Sequence, residues 1–270
     1  MAYRRLKTPD VCGYKITYYF AGSAEEENPR HWAPHIHDTL ELYVLIEGDV
    51  SFAVESSCYK LSPGDAIITK PNEMHNCILN SRSVHRHLCF WFDVDSDFIF
   101  KDFLSHDYGH DNHISPDSKA KQRLSELYNT MLEANTSGDS FTEFYTSLEV
   151  LGIYKKLLAG CTKTESDYPP LMKEILLEIN ENIREIKNID YLAAKFYLSQ
   201  STLFRLFRTH LNTTPSKYIE MRRLAYARKL LKNGSSVKEA ASASGFSNVS
   251  NFIRLFKKRF GTTPRTYKKS

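Results

Sequence analysis

The spacing of apolar positions changes character along the chain. Five short runs rich in β-branched and aromatic residues come first: YKITYYF (14–20), LELYVLI (40–46), VSFAV (50–54), AIITK (66–70) and HLCFWFD (87–93). Turn-forming segments such as EGD (47–49) and SPGD (62–65) separate them. Strands of this length and spacing predict a small sandwich or barrel. From Ser115 the apolar period becomes helical. Leu124, Leu127, Tyr128, Met131 and Leu132 share one face, NTSGDS interrupts it, and Phe141, Phe144, Tyr145, Leu148, Leu151 and Leu158 resume it. Two amphipathic helices are expected, which either cover the strands or pair with their counterparts in a dimer. CTKTESDYPP (161–170) has the composition of a linker, and the chain beyond it reads as helical throughout.

That last part contains a repeat. Residues 192–218, LAAKFYLSQSTLFRLFRTHLNTTPSKY, parallel residues 240–267, AASASGFSNVSNFIRLFKKRFGTTPRTY. Leu203, Arg205, Leu206 and Phe207 match Phe252, Arg254, Leu255 and Phe256 at an offset of 49, and Ala193 and Ser199 match Ala241 and Ser247 at 48. A repeat of this kind is one supersecondary unit built twice. Each copy reads as a short alanine-containing helix, a turn and a longer helix, the order of a helix-turn-helix. Gly245 suits a turn that needs positive φ, whereas Tyr197 at the matching place predicts a turn made in some other way. Asn212 and Gly261 suit left-handed helix ends, Thr214 and Thr263 suit N-caps, and Pro215 and Pro264 suit first helical turns. The intervening PSKYIEMRRLAYARKLLKNG (215–234) reads as one rigid helix.

Charge divides the chain at the same place. Residues 1–167 carry 16 Lys and Arg against 25 Asp and Glu, a net of −9, while residues 168–270 carry 20 against 7, a net of +13. Such an excess on a hundred-odd residues is the electrostatic footprint of a nucleic-acid partner, with a solvated basic face as the alternative. Five scattered cysteines (Cys12, Cys58, Cys77, Cys89, Cys161) point to small buried side chains rather than disulfides or a thiolate zinc site. No run of about 18 apolar residues occurs, so neither a membrane span nor a secretory leader is expected, and the chain is placed in the cytoplasm.

The block SNFIRLFKKRFGTTPRTY, preceded by ASGFSN, resembles the signature of the AraC family of bacterial transcription regulators. The resemblance implies a seven-helix DNA-binding domain whose two recognition helices enter successive major-groove segments on one face of the duplex. By matching positions, Ser201, Thr202, Phe204 and Arg205 in the first copy, and Asn248, Ser250, Asn251 and Arg254 in the second, are the implied groove-facing residues. An arginine fork suits guanine or phosphate, and Asn251 suits adenine. Phe204 either touches a thymine methyl or packs inward. Arg208, Lys257 and Lys258, one turn further along, read as phosphate contacts or as solvated surface. Leu203, Leu206, Phe207, Phe252, Leu255 and Phe256 are assigned to the core.

Candidate chemistry in the acidic part centres on HIHDTLELYVLIEG (35–48). Residues two apart on a strand share a side, so His35, His37 and Glu41 are expected to face one interior. The spacing resembles the first motif of the cupin superfamily, and PGDAIITKPNEMH (63–75) resembles the second, with His75 as the fourth ligand position. The resemblance implies either a divalent metal on His35, His37, Glu41 and His75 or an effector pocket that they line without metal. The second motif departs from the enzyme pattern: it is one residue short between Pro71 and His75, lacks the glycine, and has Leu79 where an asparagine stands. Trp32, Tyr43 and Trp91 near the pocket would suit a sugar.

The expected fold is α+β with two domains. Residues 1–110 form a cupin-like, jelly-roll-type β-barrel that senses an effector, 111–160 a helical hairpin for dimerisation, and 161–170 a linker. Residues 171–270 form the all-α DNA-binding domain, with helix-turn-helix motifs at about 190–212 and 236–261 joined by a helix at 215–233. The expected function is that of a one-component, sequence-specific transcription regulator, not an enzyme. Its partners would be double-stranded DNA, a small-molecule effector, a second copy of the chain and, for an activator, RNA polymerase. The alternatives are a metal-dependent cupin enzyme tethered to DNA and a DNA-binding protein whose barrel only dimerises it.

Overall fold

The computed structural model describes residues 4–7, 16–23, 33–92, 100–158 and 168–268. Trp32, Cys12, Cys161 and most of the expected linker lie outside them.

The elements run β1 (Arg4–Lys7), β2 (Ile16–Ser23), β3 (Leu40–Glu47), β4 (Val50–Val54), β5 (Ser57–Leu61), β6 (Ala66–Thr69), β7 (His75–Leu79), β8 (His85–Phe92), α1 (Lys101–Leu104), β9 (His113–Ile114), α2 (Ser118–Ser137) and α3 (Ser140–Leu158). All seven remaining elements are helices: α4 (Pro170–Glu181), α5 (Ile189–Lys195), α6 (Gln200–Leu211), α7 (Pro215–Lys232), α8 (Val237–Ala243), α9 (Val249–Phe260) and α10 (Pro264–Tyr267). β1 through α3 form one compact unit and α4 through α10 a second.

The strands form two packed sheets, with no closed barrel among the described residues. One antiparallel sheet has the order β1-β2-β8-β3-β6-β9 and the other β5-β4-β7. Alternation along the central strands sorts side chains into two cores. Tyr43, Leu45 and Ile67 meet Val50, Phe52, Val54, Tyr59, Leu61, Cys77 and Leu79 of the other sheet. On the reverse side Leu40, Leu42, Val44, Ala66, Ile68, Leu88, Phe90 and Phe92 pack under Leu124, Leu127, Tyr128, Met131, Val150, Leu151 and Tyr154 of the hairpin. β3 is therefore buried on both faces, and its apolar run is nearly continuous rather than alternating. β5 and β7, SCYKL and HNCIL, carry too many polar residues to stand out in the sequence. The β4–β5 turn also gives no glycine signal, because Glu55 itself takes φ +52°.

The hairpin differs from the sequence expectation on α3. Its buried face is Glu143, Thr146, Ser147, Val150, Leu151 and Tyr154, while Phe141, Tyr145 and Leu148 are exposed, Phe141 by 77%. Two polar members of the buried face bond locally: Thr146 donates to the Thr142 carbonyl at 2.7 Å and Ser147 to that of Phe144 at 2.6 Å. Tyr154 donates to the Gly64 carbonyl at 2.8 Å, and Lys121 of α2 pairs with Asp65 at 2.8 Å. The 63–65 turn is thereby fastened to both helices.

In the second unit the repeat becomes structure. α5 and α8 have seven residues each, and α6 and α9 have twelve. Caps match too: Ser199 and Asn248 begin the long helices, Asn212 (φ +48°) and Gly261 (φ +73°) end them left-handed, and Thr214 and Thr263 cap the helices that follow. The turn expected to differ does not. Tyr197 takes φ +55°, the same left-handed region as Gly245 at φ +81°, with its ring 98% exposed. Leu203, Phe207, Phe252 and Phe256 are fully buried, and Leu206 and Leu255 are half-buried. No helix among the described residues is long and apolar enough to cross a membrane.

Candidate functional sites

In the sandwich, a carboxylate is the hub. Glu41, almost fully buried on β3, accepts a hydrogen bond from His37 Nε2 at 2.9 Å and one from the indole Nε1 of Trp91 at 2.6 Å, both on Oε2. His75 Nε2 lies 3.7 Å from the same oxygen, and the His37 and His75 rings meet edge to face at 4.8 Å. One ligand atom from each of His35, His37, Glu41 and His75 lies within 4.8 Å of the others, so all four expected residues come together. The route differs from the strand argument, since His37 precedes β3 across a bend and sits outside the ladder.

The outer nitrogens are anchored. His75 Nδ1 contacts the Glu73 carbonyl at 2.8 Å and His37 Nδ1 the Thr39 carbonyl at 3.0 Å, which leaves each Nε2 facing Glu41. Such bonds fix ring orientation in ligand sets of this kind. Glu73 in turn is held by the amide of Gly109 at 2.6 Å, by Asn112 at 2.9 Å and by buried Lys70. Burial opposes ionisation of Glu41, but the hydrogen bond from His37 and the nearby imidazole of His75 outweigh it and hold its carboxyl well below the usual range. Burial likewise disfavours the charged form of His75, yet Glu41 beside it raises the imidazole. The pair is therefore a buried charge with compensating partners.

Tyr43 faces the same interior two residues along β3 and contacts His85 Nε2 at 2.7 Å, with Cys77 Sγ at 3.8 Å. His85 and His87 stack at 4.7 Å. Burial pushes His85 down to about 4 and, with the neighbouring His85, pushes His87 down to about 3. Neither histidine stands out in the sequence; their placement two apart on a strand is the one signal for them.

In the helical unit, the N-terminal halves of α6 and α9 carry most of the expected polar positions. Ser201, Arg205 and Arg208 on α6, and Ser250, Asn251, Arg254, Lys257 and Lys258 on α9, are exposed. Phe204 is half-buried, as is Thr202, which bonds back to the Ser199 cap at 2.9 Å. Asn248 is the N-cap of α9 and accepts the Asn251 amide at 2.9 Å. Arg254 donates to the Asn251 side-chain oxygen at 2.8 Å, which holds the two side chains as one unit. Ile253 stands exposed between them, an apolar position that the sequence pattern had not singled out.

Comparisons agree with this division. Residues 17–144 match the model of the AraC-like ligand binding domain, and residues 192–270 match that of a helix-turn-helix domain. The chain belongs to the AraC family, with a ligand-binding domain followed by the helix-turn-helix domain. The HTH-type transcriptional regulator GbdR of Pseudomonas aeruginosa is 37% identical over 97 residues, 36% of this chain; the chain spans only 26% of that relative. The HTH-type transcriptional activator RhaS of Salmonella schwarzengrund is 24% identical, over 86% of this chain and 85% of its own. Among solved structures, the DNA-binding domain of AdpA in complex with a target DNA shares 28% identity at a TM-score of 0.36, covering 38% of this chain and 92% of that one.

Proposed function

We propose that the protein is a one-component, sequence-specific transcription regulator in the cytoplasm. In this reading a small molecule bound in the sandwich changes how two helix-turn-helix motifs occupy duplex DNA. The observation that carries it is the doubled motif: α6 and α9, of equal length and with matching caps, each present polar and basic side chains from a basic unit. An enzyme has no use for two such helices. Ser201, Thr202, Phe204, Arg205, Asn248, Ser250, Asn251 and Arg254 are the proposed base-facing positions, and Arg208, Lys257 and Lys258 the phosphate contacts.

The proposed effector pocket is lined by His35, His37, Glu41, Tyr43, His75 and Trp91. A second reading, favoured by the four converging donors, is that a divalent metal binds there. The residues fit: three imidazoles and one carboxylate suit a hard or borderline ion, and the anchored Nδ1 atoms of His37 and His75 leave Nε2 for it. A metal there would supply a positive charge able to take an anionic or hydroxyl-bearing group of an effector. The apolar stripe Phe141, Tyr145 and Leu148, exposed on α3, supports a homodimer through the hairpin. RNA polymerase is a partner if the protein activates.

The test is selection of duplexes by the full chain from a random pool, followed by anisotropy titration at three salt concentrations. Enrichment of one sequence, and affinity that falls steeply with salt as phosphates release counterions, is expected. Binding to no duplex at low salt would overturn the reading.

A further inference from the structure

The two helix-turn-helix modules share α7, each at its own end. Tyr218 meets Phe207 of the first module with ring centroids 5.6 Å apart, while Leu224, Ala227 and Leu231 pack with Phe252 and Phe256 of the second. Between the segment that leads into the first module and the turn and long helix of the second there is a cavity of about 320 Å³ along α7, bordered by Ile186, Asn188, Ile219, Gly245, Phe246 and Asn251. Arg223, near the middle of α7, reaches across it. Its Nη2 donates to the carbonyl of Ile186, just ahead of the first module. On the other side it lies under the turn of the second: a Cβ on Gly245 would sit 3.0 Å from Arg223 Nε. That Nε is buried and has no hydrogen-bond partner among the described residues.

We propose that Arg223 is a positioning residue that sets the distance and angle between α6 and α9, and hence the number of base pairs separating the two segments the protein reads. This rests on the reading of α6 and α9 as DNA readers. A cavity offers little apolar packing to hold two modules in register, so a rigid fork, bonded to the segment that leads into the first module and seated beside Gly245 in the turn of the second, governs their relative pose. Because one added base pair turns the next groove segment by about 35°, a small change of pose shifts the preferred spacing.

The experiment uses the full chain and the duplex that it enriches from a random pool, together with versions carrying one base pair more or fewer between the two enriched blocks. Wild-type protein is expected to bind the original spacing at least tenfold more tightly than either altered one. Arg223→Met is expected to lose about tenfold on the original duplex and most of its discrimination among spacings, with Arg223→Lys intermediate and binding to random DNA unchanged. Gly245→Ala, which presses on the guanidinium, should relax spacing in the same way and serves if Arg223→Met does not fold. Wild-type spacing preference in these variants, or an equal loss on every duplex including random DNA, overturns the assignment. Failure of the wild-type chain to enrich any duplex would instead remove the DNA-reader assignment on which this one rests.

Discussion

Glu41 and Trp91 are direct cross-strand partners in the β3–β8 ladder, and the indole N–H of Trp91 donates to the carboxylate that His37 also contacts. The indole is thus a built-in reporter of that carboxylate. In a Trp32→Phe background, adding zinc should change the Trp91 emission and saturate near one ion per chain, since a metal on Oε2 displaces its hydrogen bonds. Glu41→Gln should abolish the change. A titration with no stoichiometric endpoint would leave the pocket without a metal.

On DNA, the basic residues of α9 should divide by role. Lys257→Ala or Lys258→Ala is expected to weaken binding to all duplexes by similar factors, because phosphates carry no sequence information. Asn251→Ala or Arg254→Ala should cost about 1–3 kcal/mol on the enriched duplex and relax preference at one position. Since Arg254 bonds Asn251, the double variant should lose less than the two single losses combined. Titrations of all five proteins against enriched and random duplexes measure both effects.

His85 and His87 make the sandwich acid-sensitive. Both are buried and depressed, to about 4 and about 3, so each ring folds neutral. The unfolded chain takes up those protons near pH 6.5, and their contribution is full above that value and lost as the pH falls through 6.5 toward 4. At pH 5 each is expected to cost about 2 kcal/mol. His75, which is raised, contributes on the acid side and adds nothing to this loss. Melting curves from pH 7.5 to 4.5 should show His87→Phe losing less stability than wild type; parallel curves would refute the assignment.

Tyr197 offers a test of local strain. A left-handed tyrosine costs roughly 1–2 kcal/mol, and with its ring 98% exposed no packing repays it. Tyr197→Gly should raise the stability of the helical unit by about 0.5–1 kcal/mol after the extra chain entropy of glycine is subtracted. Denaturant unfolding followed by helical circular dichroism decides it, and a loss of stability would show that the ring has a role.

What was legible in the sequence was whatever repeats or alternates locally. The doubled module, its caps and the buried positions of α6 and α9 follow from spacing and short-range chemistry. Grouping His35, His37, Glu41 and His75 also succeeded, though for a reason other than strand parity, because His37 lies ahead of β3. The contact of Glu41 with Trp91 depends on strand register, which no local pattern specifies. On α3, tertiary packing chose Thr146 and Ser147 over Phe141 and Tyr145, against the hydrophobic pattern. Arg223, one cation among many on α7, reads in sequence as ordinary solvated charge; its reach to Ile186 spans 37 residues.

The two-sided burial of β3 sets unequal tolerance to length changes on its flanks. Slipping its register by a single residue would turn Glu41 toward the aliphatic layer beneath the hairpin and bring Leu40 and Leu42 among the imidazoles. One inserted or deleted residue between His37 and Leu40 would therefore damage the histidine–carboxylate cluster and the helical layer together. The turn at Gly48 and Asp49, which is not fully buried, lies where length variation is absorbed most easily. Variation in chain length among functional descendants of this sequence should thus collect at the far end of β3, away from the histidines.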